Sequence, residues 1–504
     1  MFAAASERHK MNKYLVGIDI GTSACKAAAF TLDGALAAEA TESYETEYPA
    51  PGMAQQNPGD WWAAVTRALK SITAVIAPSE IAAVGVDGQS WSAVAVDRDG
   101  NALCPTPIWT DTRATRECAQ MLEIKPAEKW FETAKNPVQP GYTLPKILWY
   151  KNNIPDIYEK TDKILQSNSF IVMRLTGEIS QDLSQGYGLQ CFDMNKGSWS
   201  EEILALLGID PSLLPSPVPC SAIAGRVTAK AAEETGLKEG TPVAAGGLDA
   251  ACAALGVGAT RPGRTQEQGG QAGGMSICTE SSDSDPGLIM SYHVVPGMWL
   301  LQGGTTGGGG ALRWLRTLIS PDISFKEMDT LAESAPEGSD GLVFLPYLAG
   351  ERSPVWNPAA KGVFFGMTYA HTRAHIIRAV MEGTAFALRH NLETAAKAGA
   401  KADVMRAMGG SAASRIWTQI KADVTGSVIE VPSSANATVL GAALLAGEGA
   451  GVYSSAADAA EGIVRVDRTH TPDISKREIY DDGYAKYLEL YSRLEPMMSK
   501  GETL

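Results

Sequence analysis

Histidine is scarce in this 504-residue chain: six are scattered along it, none in a glycine-rich motif. A histidine-based metal site or a Ser/His/Asp hydrolase therefore has little support. Cysteine is nearly as sparse, with seven residues at 25, 104, 118, 191, 220, 252 and 278, an odd count and no paired spacing. Reduced thiols in a cytoplasmic protein are the expectation. Long apolar runs are missing too. No segment approaches the ~20 apolar residues of a membrane span, and the opening MFAAASERHK has no apolar core of signal-peptide length; Met11 is an alternative start. A positive balance is also absent, the formal charge being -14 and the pI near 5.1. That argues against nucleic-acid or anionic-membrane partners, while leaving room for a local basic patch around a phosphate. A general base here is expected to be a carboxylate.

The length suits roughly two large domains. One stretch organises the first: Val16-Gly17-Ile18-Asp19-Ile20-Gly21-Thr22-Ser23-Ala24-Cys25-Lys26. It reads as a buried strand, a tight turn and a returning strand from Ala27 to Phe30. A carboxylate inside an apolar strand needs a cation or hydrogen-bond donors, so Asp19 is either capped structurally or used. Glycine at 21 is free to adopt angles barred to other residues, which would let Thr22 and Ser23 face a phosphate. The carboxylate beside them would suit Mg2+ held through water. An ordinary hairpin with one satisfied aspartate explains the same residues equally well.

Further along, Asn57-Pro58 precedes Trp62, Val65, Leu69, Ile72 and Ile76 at helical spacing. A strand at Ala83 to Val86 ends in Asp87-Gly88-Gln89-Ser90-Trp91, and another follows at Ala93 to Val96. Strand, helix and strand imply a mixed α/β layer. Asp111 and Arg113 in Trp109-Thr110-Asp111-Thr112-Arg113 are either a structural ion pair or the polar rim of a sugar pocket. Gly141 through Lys146 to Trp149 reads as loop then helix. At Thr241 to Asp249 a strand ends in Gly246-Gly247-Leu248-Asp249 before a helix of small residues. An N-cap explains the aspartate; it does not explain the paired glycines.

In the second half, Gln268-Gly269-Gly270-Gln271-Ala272-Gly273-Gly274 looks like the first hairpin repeated, although its entering strand, Thr265 to Gln268, is unusually polar. Gly303 to Gly310 runs from an apolar strand at Met298 to Leu301 into a helix start, which favours close backbone approach to a ligand over a flexible linker. Val404 to Met408, Gly409-Gly410 and a helix with Ile416, Ile420 and Val424 form a strand, turn and helix, with a strand at Val428 to Val431 after them. The glycines would admit the flat face of a base, and a tight turn with a capped helix competes with that reading. Leu440-Gly441-Ala442-Ala443 belongs to a small-residue helix able to pack close to its neighbour.

Taken in order, these stretches resemble the FGGY carbohydrate kinases, and within that family the xylulokinase branch. The likeness spans nearly the whole chain. It includes GIDIGTSACK at 17 to 26, QNPGDWW at 56 to 62, WTDTR at 109 to 113, LPKILW at 144 to 149 and RLTGEISQDLS at 174 to 184. FLPYLAGERSPVWNPAAKGVFFGM at 344 to 367, MGGSAASRIWTQIKADVTG at 408 to 426 and LGAA at 440 to 443 continue it. The resemblance implies an α/β fold of two actin/hexokinase-like (ribonuclease H-like) ATPase domains around a central cleft. They would span 1 to 256 and 257 to 495, with 496 to 504 as a tail. It implies an ATP-dependent kinase, with Mg2+, for a small sugar, a pentulose such as xylulose or another ketose or polyol. Asp249 would be the base that deprotonates the sugar hydroxyl, and Asp19 would position the metal. Gly21, Thr22, Ser23, Gly270, Gln271 and Gly309 would serve the phosphates, and Gly409, Gly410 and Ser411 the adenosine. Gln89, Ser90, Trp91 and Asp111 would lie on the sugar side. A homodimer is the default assembly.

The chain departs from the family in three places. Gly270-Gln271-Ala272-Gly273 stands where Gly-Thr-Ser-Gly is usual, which removes two hydroxyl donors and leaves the Gln271 amide. Trp91 stands where xylulokinases commonly have histidine, and Ala250 where asparagine commonly follows the catalytic aspartate. Both alter the sugar contacts, so the resemblance is more specific to the reaction than to the sugar. A catalytically silent binding relative is the competing reading.

Overall fold

The computed structural model of the chain describes residues 13–433 and 436–499. Met11 and residues 500–504 lie outside the described residues. The chain forms two compact units, the first from residues up to Thr260, Met290–Trp299 and Asn436–Val464, the second from Arg261–Ile289, Leu300–Ala435 and Arg465 onward. Neither unit is one continuous run, since the first takes in Met290–Trp299 and Asn436–Val464 from the second half of the chain.

In the first unit the expected hairpin forms from β1 (Tyr14–Ile20) and β2 (Ala24–Thr31), extended by β3 (Leu36–Ser43). Helix α1 (Pro58–Thr73) starts at an Asn57 cap that accepts from the Gly59 amide and buries Trp61, Trp62, Val65, Leu69 and Ile72 against the sheet. Strand β4 (Ile81–Gly88) then pairs parallel to β1. After α2 (Thr143–Asn153) come β5 (Ile223–Arg226), β6 (Pro242–Ala244), β7 (Gly247–Leu248) and α3 (Asp249–Gly256). The strand order is β5-β6-β4-β1-β2-β3, with β7 paired to β4. Every residue of β4 is buried, as a strand covered on both faces requires.

One device explains the discontinuous first unit. The helix Ala437–Gly449, rich in small residues as the sequence suggests, nests on β1, β4 and α3. A Cβ at Gly17 would lie 1.9 Å from the Val439 carbonyl oxygen, and one at Gly85 1.9 Å from that of Ala442. Conversely, a Cβ at Gly441 would lie 1.9 Å from the Cys252 carbonyl oxygen. Backbone meets backbone there because no side chain intervenes.

The second unit repeats the pattern. Strands β8 (Arg264–Gly269) and β9 (Gly273–Thr279) make an antiparallel hairpin, β10 (Trp299–Thr305) lies beyond β9, and α4 (Gly309–Ile319) follows. After the long helix α5 (Arg373–Lys397) come β11 (Val404–Met408), α6 (Arg415–Thr425), β12 (Val428–Pro432), β13 (Val466–His470) and α7 (Arg477–Met498). The order runs β10-β9-β8-β11-β12-β13, with β11 parallel to β8. In both units, then, a hairpin's first strand is joined on its other side by a parallel strand. Residues 496–498, expected in a tail, complete α7: Pro496 removes one amide near the helix end without ending the turn. Among the described residues no helix is long and apolar enough to cross a membrane.

Candidate functional site

Strand register brings three aspartates of the first unit to one sheet end. In the β1–β4 pairing Asp19 lies opposite Asp87, and in the β7–β4 pairing Gly247 lies opposite Asp87, two residues before Asp249. Parallel register points Asp19 and Asp87 to the same face. It is the face on which Gly17 and Gly85, two residues back, receive the Ala437–Gly449 helix. Asp87 has no solvent exposure, and no N–H or O–H donor reaches either of its carboxylate oxygens. Its neighbour within hydrogen-bond reach is Asp19, another carboxylate. Two such groups coexist only with a proton or a cation between them.

The electrostatics follow from that crowding. Burial pushes Asp19 up to about 6, opposed by its hydrogen bond with Asp87 and by the charge of Lys26. Asp87 is driven well above the usual carboxylate range by burial first and by Asp19 and Asp249 after it. Asp249 is raised to about 7 by burial and then by the Asp19 charge, while the Ala250 amide pulls the other way.

Asp249 is the first residue of α3 rather than its cap. Leu248 occupies the cap position without a side-chain bond, and the Asp249 carboxylate accepts from the next amide, Ala250, at 2.6 Å. The paired glycines also find a reason. Gly246 has φ +81°, and a Cβ there would lie 1.7 Å from the Val86 carbonyl oxygen. Only glycine lets the chain pass β4 and deliver Asp249. Ser184 holds the approach: its hydroxyl accepts from the Leu248 amide at 2.8 Å and donates to the buried Asp182.

Around the first turn one expectation is corrected. Gly21 is not in the left-handed region; a Cβ there would lie 3.1 Å from the Ala24 carbonyl oxygen, a tight contact that the turn would have to yield slightly to accept. The Thr22 hydroxyl accepts from the Trp109 indole at 2.9 Å, and its carbonyl from Gln56 at 2.6 Å, whereas Ser23 is exposed.

On the expected sugar side, Gln89 is buried, donates to Gln56 at 2.8 Å and has an amide oxygen without a donor. The Ser90 hydroxyl accepts from Tyr187 at 3.1 Å. Trp91 sits at φ 62° with its indole N–H unpartnered, edge-on to Tyr142 at 4.5 Å and to Tyr187 at 6.0 Å between ring centres. Lys146, fully buried and pushed down to about 7 by burial, holds this loop by donating to the carbonyls of Trp91 at 2.8 Å and Ile108 at 2.7 Å. Asp111 differs from its expected place on a pocket rim. Fully buried, it is enclosed by the Ala54 amide on one oxygen and by Arg113 on both, which makes it the structural ion pair.

In the second unit the loop between β8 and β9 meets the start of α4. The amide of Gly309 donates to the Gly270 carbonyl at 2.8 Å and that of Gly310 to the Gln271 carbonyl at 2.9 Å, so these helix-start donors are spent on the loop. The Gln271 side-chain oxygen accepts from exposed Arg313. Gly409 needs its φ of +85°, since a Cβ would lie 2.8 Å from the Gly269 carbonyl oxygen, whereas around Gly410 the space is open. Ser411 faces inward and is buried, accepting from Lys421 at 2.8 Å. Lys421 also pairs with Glu267 at 2.6 Å, both buried. Glu267, Gly309, Ser411 and Lys421 line a cavity together with Thr305, Asn391 and Trp417.

Sequence reasoning passed over Asp87, Lys146, Glu267 and Lys421. Asp87 carried a signal, a carboxylate at the end of an apolar strand like Asp19. So did Glu267, in the polar strand noted above, which is polar because it meets a lysine from α6. Nothing in the sequence ties Lys146 to the Trp91 loop 55 residues earlier.

Comparison with known proteins places these features in a family. The model of the FGGY family of carbohydrate kinases, N-terminal domain, matches residues 14–256, and that of its C-terminal domain matches 273–450. The chain is 31% identical over 492 residues to a xylulose kinase of Bacillus subtilis, covering 96% of this chain and 98% of that protein. It is 30% identical over 475 residues to a gluconokinase of the same organism, covering 92% of each. Among solved structures, the xylulose kinase of Rhodospirillum rubrum superposes with a TM-score of 0.91 at 31% identity, covering 97% of this chain and 100% of that one.

Proposed function

The chain belongs to the FGGY family of carbohydrate kinases, and from that premise we propose that it phosphorylates a small ketose, a pentulose of the xylulose kind, with Asp249 as the general base. The observation that carries this reading is the Asp249 carboxylate itself. It stands at a helix start without capping that helix, beside two further carboxylates, and burial sets it near 7, where a base works best at neutral pH. The substrate hydroxyl gives its proton to Asp249 as its oxygen bonds to the γ-phosphorus of ATP. The bond from that phosphorus to the β-phosphate oxygen breaks, and ADP leaves.

Asp19, with the neighbouring buried carboxylate that lacks a donor, fits a divalent cation. Bound Mg2+ would neutralise phosphate charge. The first turn at Gly21, Thr22 and Ser23 and the loop at Gly270 and Gln271 are the phosphate-binding residues of this reading, with Gly309 serving by holding the Gly270 carbonyl, and Gly409 and Gly410 are the adenosine side. The inward-facing Ser411 supports that side from beneath, through Lys421 and Glu267. Gln89, Ser90 and Trp91 meet the sugar, Asp111 acting through Arg113 and the Ala54 amide rather than by contact. The aromatic group of Trp91, Tyr142 and Tyr187 supports a site that differs from that of a histidine-bearing xylulokinase. Seven free thiols, six of them buried, support a cytoplasmic location, and a homodimer is the assembly proposed.

The test is ADP formation with Mg-ATP against a panel of ketoses, aldoses, aldonates and polyols, with Asp249→Asn run in parallel. Turnover with a pentulose, lost in the variant, is expected. Preference for an aldonate would move the substrate toward that of the gluconokinase relative. Tight sugar binding without turnover would favour a silent binding protein.

A further inference from the structure

We propose that Asp87 is a second carboxylate ligand for the divalent cation, reaching it beside Asp19 from the neighbouring parallel strand. The inference rests on the kinase reading for the presence of a cation and on geometry for the residue. Asp87 is fully buried, yet no donor from the protein meets either of its oxygens. Leaving one buried carboxylate oxygen without a donor is costly, and leaving two without one calls for a shared proton or a bound ion. What the carboxylate faces is Asp19, brought alongside by the strict register of β1 and β4. The charges acting on Asp87 are those of Asp19 and Asp249, all negative, whereas Lys26 acts on Asp19 and is itself engaged by Asn436 and Glu39.

The arrangement suits Mg2+ in particular. Among the described residues no three histidine, cysteine or acidic side chains close around a single ion, so the acidic share proposed is the pair. Mg2+ keeps several waters and takes one or two carboxylates plus phosphate oxygens, which matches two ligands from adjacent strands and an otherwise open sphere. The glycines at 17 and 85 make the arrangement possible. By seating the Ala437–Gly449 helix against the backbone, they cover the strands just before the point where the two carboxylates emerge.

The test uses Mn2+ alone as probe, without nucleotide, on the full chain. Free Mn2+ is followed by electron paramagnetic resonance for the wild type, Asp87→Asn, Asp19→Asn and Asp249→Asn. The wild type is expected to bind one Mn2+, with affinity falling about tenfold or more in Asp87→Asn, a loss at least the size of that seen when partners outside the ligand set are removed. Equal affinity in wild type and Asp87→Asn overturns the proposal, as does a wild type that binds no Mn2+; the pair is then bridged by a proton alone. Melting curves in EDTA show whether Asp87→Asn is folded, and Asp87→Ser carries the same comparison if the amide is not tolerated. Asp249→Asn is expected to keep the Mn2+ affinity while losing sugar-dependent ADP formation. The Mn2+ titration thus reports on Asp87, and turnover reports separately on the kinase reading.

Discussion

Replacing Asp249 with asparagine should slow phosphorylation and at the same time stabilise the protein. A positioned general base contributes about 10²–10⁴-fold, or about 3–5 kcal/mol at 1.36 kcal/mol per tenfold. kcat should fall by that factor, with KM for the sugar changing much less. The stability effect has its own sign. The folded-state pKa of Asp249 lies near 7, above its ordinary 3.8, so the folded protein holds this proton more tightly than the unfolded chain. Stability is then greatest below about 4 and is lost as pH rises through about 7. At pH 8 the charged form carries a penalty of at most about 4 kcal/mol by the 1.36 kcal/mol per unit conversion. Partial solvent contact reduces that to the order of 2 kcal/mol. Asparagine removes it, so the variant should melt about 2–3 °C higher at pH 8 and about level with wild type near pH 4.

Coupled assay across pH 5.5–9 gives the kinetic half of the test. kcat/KM of the wild type should be flat above about 7 and fall about tenfold per unit below it, because only the ionised carboxylate accepts the proton. Asp19→Asn, by removing the second cause of the raised value, should move that inflection downward in whatever activity it retains. A variant within tenfold of wild-type kcat, a wild-type profile without an acid limb near 7, or a variant that melts lower at pH 8 would each refute the reasoning.

Other outcomes follow from the same geometry. Lys421→Met leaves Glu267 buried and unpaired and should cost about 3–5 kcal/mol in urea unfolding, most of it recovered in the double variant with Glu267→Gln. Gly85→Ala puts a methyl 1.9 Å from the Ala442 carbonyl oxygen, and lifting the Ala437–Gly449 helix should cost about 3 kcal/mol or more, read by thermal melting. Lys146→Met frees the Trp91 carbonyl and should raise KM for the sugar more than it lowers kcat. Because the folded-state pKa of Lys146 is depressed to about 7, the unfolded chain binds the extra proton between about 7 and 10.5 and wild-type stability rises with pH there; the methionine variant should lose that slope.

Much of this protein was legible from the chain alone, and local physics is the reason. The apolar run into Asp19, the Asn57-Pro58 helix start, the paired glycines before Asp249 and the strand-turn-helix at Val404 to Ser411 are short-range patterns, and each forms where its residues point. Composition left histidine chemistry with little support before any geometry was known. What the chain could not display is which partner a residue meets across space. Asp111 looked equally suited to a sugar rim or an ion pair, and only packing put the Ala54 amide and Arg113 around it. Asp87 looked like a strand ending, and only the β1–β4 register made it the neighbour of Asp19. Helix Ala437–Gly449 could be foreseen to pack closely, but not onto strands more than 350 residues earlier. Sequence determined the elements and the residues able to do chemistry, because those depend on near neighbours. Tertiary structure decided which carboxylates stand together and at what pH they hold a proton, because burial and long-range charge exist only once the chain has folded.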